Sequence, residues 1–495
     1  MEAVGPMRDP RWRFSLFGAV AAMIAIAGCG PAADPGWEAA AVRLGTEDGR
    51  SAAVDALVAP YDLDDGPGGV LGVYLDGRLL YARGYGLANL EYGISNTPST
   101  VFRVGSVSKQ FAAMAIAILV ERGKLRLDDD IRKHLPEIPR YPEGVVTIRH
   151  LVHHTSGLRD YNELASYAGY RSDQLSTTEA AFELLTRQRG LNFPPGERFL
   201  YSNSGYFLIG VLVERTTGKT LAEFAHAEIF EPLGMSSSRF KDDHGAVVAE
   251  RAYGYVGDRD GDGWRLYLSQ RDFVGAGGVF TTVEDMRRWF LYLDSGDAEL
   301  LGRMSERGVL TDGTELSYAF GLNFDDDRGL SRVHHSGGFA AFTAHTVRYP
   351  DQGLAVFTAV NGGAANAVRL ALEIADIYLR PLVAGLAPLE FPVSGADAAP
   401  DGPATNVQLT ADELAGYVGT FYGGEVDATY EVGPASGGLA LTIPGMDPVY
   451  LRARGQGVFE SPRLTITFER AATDPAGRFT LYGNRASGLL FERTD

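Results

Sequence analysis

The chain has 495 residues, 45% hydrophobic, 11% aromatic and 22% charged. That composition can bury a sizeable core over roughly two to four domains of about 150 residues, and it excludes a wholly disordered, collagen-like or many-pass membrane protein. Lysine and arginine number 45 against 63 aspartates and glutamates, a net charge of −18 with no dense basic block, which disfavours nucleic acid as a partner; the single cysteine, Cys29, excludes an intramolecular disulfide framework and a thiolate metal cluster.

Arg8, Arg11 and Arg13 precede an apolar run from Phe14 to Ala27 that is short for a membrane span and closes on Gly28 and Cys29. This is the pattern of an export signal. The stretch Ile26-Ala27-Gly28-Cys29 resembles a bacterial lipoprotein processing site, so residues 1–28 are expected to be removed and Cys29 to carry lipid. The expected location is the cell envelope, anchored to a membrane and facing the periplasm or exterior. Residues 29–48 then read as a tether, opening on Gly30-Pro31-Ala32-Ala33-Asp34-Pro35-Gly36.

A short helix is predicted over Ser51 to Val58. Val70 to Leu75 and Arg78 to Tyr81 flank Asp76-Gly77, a dipeptide suited to the positive φ angles of a two-residue hairpin turn. From Ser106 to Arg122 the pattern turns helical, with Phe111, Ala115, Ile118 and Leu119 on one stripe and Gly123 placed to end it. A second strand pair is predicted at His345 to Tyr349 and Leu354 to Val360. Strands, then helices, then strands again predict one large mixed α+β domain over residues 49–385. Residues 386–407, with Pro388, Pro392, Pro400 and Pro403, read as a linker. In residues 408–495, short apolar stretches at Tyr430 to Val432, Leu439 to Ile443, Leu464 to Phe468 and Phe479 to Tyr482 predict a small antiparallel barrel or sandwich.

Ser106-Val107-Ser108-Lys109 stands where a loop enters the predicted helix. Residues three apart share a helix face, so the Lys109 amine can reach the Ser106 hydroxyl. Serine is a weak nucleophile until a neighbour takes its proton, and lysine can do so once burial or nearby cations lower its pKa. The helix amino terminus adds N–H groups near an oxygen that becomes anionic during acyl transfer. Alone, this spacing is common among surface helix starts.

Two further motifs follow in order: Tyr201-Ser202-Asn203 after Phe193-Pro194-Pro195-Gly196-Glu197, and His335-Ser336-Gly337-Gly338 before a strand. Around them stand Thr147-Ile148-Arg149-His150-Leu151, His154-Thr155-Ser156-Gly157-Leu158, Ser202-Asn203-Ser204-Gly205-Tyr206, Pro232-Leu233-Gly234-Met235 and Gly275-Ala276-Gly277-Gly278. Over roughly residues 50 to 380 the chain resembles the serine β-lactamase and penicillin-binding-protein family, most closely its class C β-lactamase branch with D-aminopeptidase and esterase relatives. The resemblance implies an antiparallel sheet flanked by helices with a helical subdomain, and an acyl-enzyme mechanism without cofactor. Carried over residue by residue, it implies Ser106 as nucleophile, Lys109 as its proton partner and Tyr201 as phenolic base and acid. Tyr201 would need cations such as Lys109 to lower its pKa from about 10. Asn203, His335, Ser336 and Gly337 would bind substrate, Asn203 holding the acyl carbonyl, and the Ser106 and Gly338 N–H groups would form the oxyanion hole. The phrase from Leu414 to Phe421 resembles the small β-barrel attached to some of these hydrolases.

His335 stands where the family's commonest third motif has lysine, which weakens the β-lactamase and carboxypeptidase readings relative to an esterase or aminopeptidase. Were His335 to hold a carboxylate as a cation, efficiency on such substrates would fall as pH rises through its pKa. Two metal patterns compete with this reading: His150, His153 and His154, which include an i,i+4 pair, and the calcium-like loop Asp258-Arg259-Asp260-Gly261-Asp262-Gly263, whose twelfth position is Ser269 rather than Glu. The histidines are read as part of a structural turn and the acidic loop as an exposed hairpin turn, with calcium binding by Asp258–Asp262 left open; no metal is assigned to the site. The expected function is a serine hydrolase acting on an ester, amide, D-amino-acid peptide or β-lactam; the alternative is a non-catalytic envelope binding or sensing protein. The expected partners are a small-molecule or short-peptide substrate and a membrane reached through the lipid, with the oligomeric state open.

Overall fold

Asp76 and Gly77 both take positive φ, 50° and 73°, and this tight turn joins strands Gly69–Leu75 and Arg78–Tyr85 as the dipeptide predicts. The structure, a computed structural model, describes residues 49–171, 174–257, 263–391, 407, 409–469 and 476–495, with the backbone of strand Ala41–Arg43. The export signal, Cys29, most of the tether and linker, and the Asp258–Asp262 loop lie outside the described residues.

The hairpin belongs to a seven-stranded antiparallel sheet. Its order is 41–43, 78–85, 69–75, 354–360, 342–349, 330–339 and 323–327. Period-two alternation divides each central strand between two cores. Val70 and Tyr74 face one and Leu71 and Val73 the other; likewise Ala355, Phe357 and Ala359 oppose Leu354 and Val356. Helices Arg50–Val58 and Ala367–Leu379 cover the second face through Val54, Val58, Leu370 and Ile374.

The first face meets the helix carrying Lys109. It starts with a 3-10 turn over Gly105–Ser108 and continues as an α-helix over Lys109–Glu121, with Gly123 at φ 64° just beyond it. A single apolar stripe is too modest a description: every residue from Lys109 to Leu119 is buried. A helix apolar on all sides runs through a core, here between the sheet and helix Asn203–Thr217, whose cap Gly218 is left-handed at φ 72°.

Residues 419–493 form a closed eight-stranded antiparallel barrel. Pairing of the first strand with the last, Phe421 opposite Arg493, removes both edges and decides between the barrel and sandwich left open by the sequence. Its interior is packed with rings: Tyr417, Phe421, Phe459, Phe468, Phe479 and Phe491 lie in mutual contact.

The barrel is anchored to the larger body by polar groups that the body buries. Arg159, 4% exposed, donates to Glu425 (2.7 Å), to Gln188 (2.9 Å) and to the carbonyls of Ser487 and Gly488. Tyr430 donates to the Tyr167 carbonyl at 2.6 Å. Removing one partner of a buried ion pair strands the other charge. Arg159→Met should therefore lower stability by about 3–5 kcal/mol in urea unfolding; an unchanged midpoint would show that the barrel is held by other contacts.

Candidate active site

Ser106 sits in the 3-10 turn, against the strand Leu330–Phe339. The approach of turn and strand explains two glycines. A Cβ on Gly105, whose φ is 52°, would lie 2.7 Å from the Gly338 nitrogen, and one on Gly337 would overlap the Val104 carbonyl. The Ser108 hydroxyl clamps the turn, donating to the Gly105 carbonyl (2.6 Å) and accepting from the Val279 N–H (3.0 Å).

Lys109 opens the α-helix and its Nζ lies 3.1 Å from Ser106 Oγ, 3.0 Å from Asn203 Oδ1 and 2.7 Å from the Ala276 carbonyl. The Tyr201 and Tyr206 rings lie 4.8 and 5.5 Å from the same nitrogen. Burial pushes the Lys109 pKa down to about 7; Asp160 favours the cation and Arg485 opposes it. At neutral pH the amine is therefore divided between its two forms.

Tyr201 is carried just before helix Asn203–Thr217, and its ring centre lies 4.2 Å from that of His154, the planes tilted by 36°. His154 adopts φ 59°, and its Nδ1 accepts the Ser202 N–H at 3.1 Å while its carbonyl accepts that of Leu200. This left-handed residue fixes the Tyr201 segment from below. Burial raises the Tyr201 pKa, with the Ser106 hydroxyl only partly opposing that shift, so the lowering that a resting phenolate would need is absent. The free site holds a phenol rather than a phenolate.

His335, the first residue of the third motif, lies in strand Leu330–Phe339. It is 3% exposed, with Nδ1 donating to the Ser336 carbonyl (2.6 Å), so Nε2 is left to accept from the Tyr318 hydroxyl (3.1 Å). Burial, with Lys109 adding to it, pushes its pKa down to about 3. The imidazole is neutral at working pH and offers a substrate carboxylate no cation. Gly338 and Phe339 line the cleft, whereas His335, Ser336 and Gly337 are not among its described lining residues.

The histidines of the first metal pattern point to separate partners. His150 Nδ1 accepts from Thr147 N in a helix cap, His153 bonds the Arg149 and Glu306 carbonyls, and His154 supports Ser202. Among the described residues, Asp243, His244 and Asp272 form the one three-residue group with metal-ligating atoms close together, and it is largely exposed.

Sequence reasoning missed Asp160 and Arg485. Asp160 is fully buried; Oδ1 caps helix Tyr161–Tyr167 by accepting from Asn162 N, and Oδ2 accepts from both Asn203 N (2.7 Å) and Asn203 Nδ2 (3.1 Å). This leaves one Nδ2 hydrogen of Asn203 for a substrate carbonyl. An aspartate just before a helical segment is a readable cap signal, but its second oxygen is not. Arg485 comes from the barrel, 3.6 Å from Asp160 and 3.7 Å from Glu163. With Met446, Tyr450 and Arg463 it makes the barrel one wall of a cleft of about 2220 Å³ that contains Ser106, Tyr201, Asn203 and Gly338.

Comparison with known proteins places this geometry in context. The family profile described as Beta-lactamase matches residues 54–379. The chain is similar to a D-aminopeptidase of Gluconobacter oxydans, 31% identical over 327 residues, 66% of this chain and 61% of that protein. It is also similar to penicillin-binding protein 4* of Bacillus subtilis, 31% identical over 298 residues, 56% of this chain and 64% of that one. It thus spans a little over three-fifths of the length of these relatives. An octameric penicillin-binding protein homologue from Pyrococcus abyssi superposes with a TM-score of 0.59 at 22% identity, over 89% of this chain and 99% of that one. That likeness extends the shared fold beyond the profile match.

A lysine held near 7 when folded and near 10.5 when unfolded binds fewer protons folded across that interval, so its contribution to stability rises with pH between the two values. Against Lys109→Met, the parent protein should gain relative melting temperature as pH is raised from about 7 towards 10. A pH-independent difference would mean that Lys109 keeps an ordinary pKa.

Proposed function

The chain belongs to the beta-lactamase family, and on that premise we propose that it is a serine hydrolase working through an acyl-enzyme on Ser106. The carrying observation is the buried Lys109 Nζ 3.1 Å from Ser106 Oγ. In its neutral form Lys109 takes the Ser106 proton as Oγ attacks the substrate carbonyl. The Ser106 and Gly338 N–H groups receive the oxyanion. The Tyr201 phenol gives its proton to the leaving nitrogen or oxygen, and the Lys109 ammonium restores it. A water then attacks the acyl-serine, passing its proton through Tyr201 to Lys109, and collapse returns a proton to Ser106 Oγ.

The D-aminopeptidase relatives support an amide or ester of a D-amino acid as substrate, with β-lactams as further acyl donors. The export and lipid attachment read from Phe14 to Cys29 belong to the same proposal, and fatty-acid labelling that persists in Cys29→Ser would overturn that part.

Ser106→Ala should lose at least about a thousandfold in kcat/KM on an activated short-chain ester, and should form no mass adduct with a reporter penicillin. Folded parent protein with neither adduct nor turnover would transfer the reading to the binding or sensing role. In the parent, kcat/KM should rise as pH increases through about 7, where Lys109 loses its proton, with no falling limb from His335, already neutral there. Rates independent of pH across that range would exclude Lys109 as the base.

A further inference from the structure

Two cations in the cleft wall lack a carboxylate partner among the described residues. Arg103, three residues before Ser106, is only 8% exposed, and its Nε is buried with no hydrogen-bond partner. Its guanidinium carbon lies 3.8 Å from the centre of the Phe339 ring. The Arg271 guanidinium lies 5.0 Å from the same ring and donates weakly to the Tyr161 hydroxyl at 3.4 Å. Both arginines line the cleft that holds Ser106, Tyr201 and Asn203.

A buried guanidinium without a counter-charge is costly, and the two other arginines buried among the described residues are paired. Arg159 has Glu425, and Arg348 has Asp294. Around Arg103 the arrangement is reversed. Burial, then the charge of Arg271, hold it down to about 9, still cationic at neutral pH; Arg251 adds to this, and the phenols of Tyr161 and Tyr267 oppose it. The described lining of the cleft also holds Arg265 and Arg463, with Asp447 as a carboxylate and Glu163 beside Arg485.

We propose that Arg103 and Arg271, gathered on Phe339, form an anion subsite that takes a carboxylate of the substrate. The inference rests on Ser106 marking the reacting centre. Phe339 directly follows Gly338, so the subsite lies one residue along the strand from an oxyanion donor. Guanidinium forks match the two oxygens of a carboxylate, and in this dry wall they supply the charge that neutral His335 withholds.

The test is calorimetric titration of the full chain carrying Ser106→Ala, which separates binding from turnover. The ligands are the phenylacetylglycyl ester of 3-hydroxybenzoate and its 3-carboxamide counterpart. The carboxylate ester should bind at least about tenfold more tightly than the carboxamide, and adding Arg271→Ala should cut that ratio below about threefold. Arg271→Lys, which keeps the charge but loses the fork, should fall between. The ratio within each protein is the readout, so weakening common to both ligands does not count, and a melting curve confirms folding. A ratio near one in the Ser106→Ala protein, a ratio unaffected by Arg271→Ala, or no measurable binding of the carboxylate ester would each overturn the proposal. Turnover of the carboxamide ester by protein with Ser106 intact is read separately: its failure would strike the hydrolase reading, while the binding ratio would still decide the subsite.

Discussion

Asp160 divides its two oxygens between two helix amino termini. One caps Tyr161–Tyr167 and the other takes both nitrogens of Asn203, at the start of the helix that follows Tyr201. Because Asn203 Nδ2 is committed to Asp160, Oδ1 must face Lys109, and the Lys109 amine is thereby aimed between Asn203, Ala276 and Ser106. A fully buried carboxylate is tolerable only when surrounded by donors, and here those donors are the site itself. The backbone N–H of Asp160 meanwhile donates to the Arg485 carbonyl at 2.9 Å, so one residue joins the loop after His154, the Tyr201 segment and the barrel.

Desolvation sets the resting state of the remaining groups. It pushes the Lys109 amine towards its free base, keeps the Tyr201 phenol protonated and leaves the His335 imidazole uncharged. Three residue types that could carry charge are thus pushed towards neutrality by one environment, the tyrosine and histidine wholly and the lysine in part at neutral pH. Groups of fixed charge stand further off: Asp160 behind the site, and arginines with Glu163 and Asp447 in the cleft wall. A neutral amine beside a neutral hydroxyl suits a site in which charge develops only during reaction, where a dry surrounding makes each preset dipole count for more than it would in water.

Much of this was legible before any coordinates. Asp76-Gly77 encodes its turn locally, the alternation along Leu354 to Val360 matches its two-sided burial, and the ordered Ser106, Tyr201 and His335 motifs mark three segments that the fold brings together. What stayed hidden depends on partners distant in sequence. Arg485 is a turn residue of the barrel until the fold sets it beside Asp160, and Arg103 is an ordinary strand arginine until Phe339 and Arg271 close on it. The protonation of His335 and Tyr201 was hidden for the same reason: a motif gives residue type, whereas protonation follows from burial, and burial belongs to the tertiary structure. The barrel's interior was foreshadowed by short apolar runs, but its closure rests on pairing Phe421 with Arg493.

The barrel wall has a consequence in time. Ribosomes deliver a chain from its amino terminus, and domains fold as they emerge. Ser106, Lys109, Tyr201 and the third-motif strand are all synthesised before the hairpin of Arg478–Gly483 and Ser487–Arg493 that presents Arg485. A chain synthesised only as far as the third-motif strand therefore carries Ser106 and Lys109 but lacks this wall of the cleft. The cleft acquires its full electrostatic character only when that late hairpin docks, which makes the barrel a maturation step for the site as well as part of its architecture.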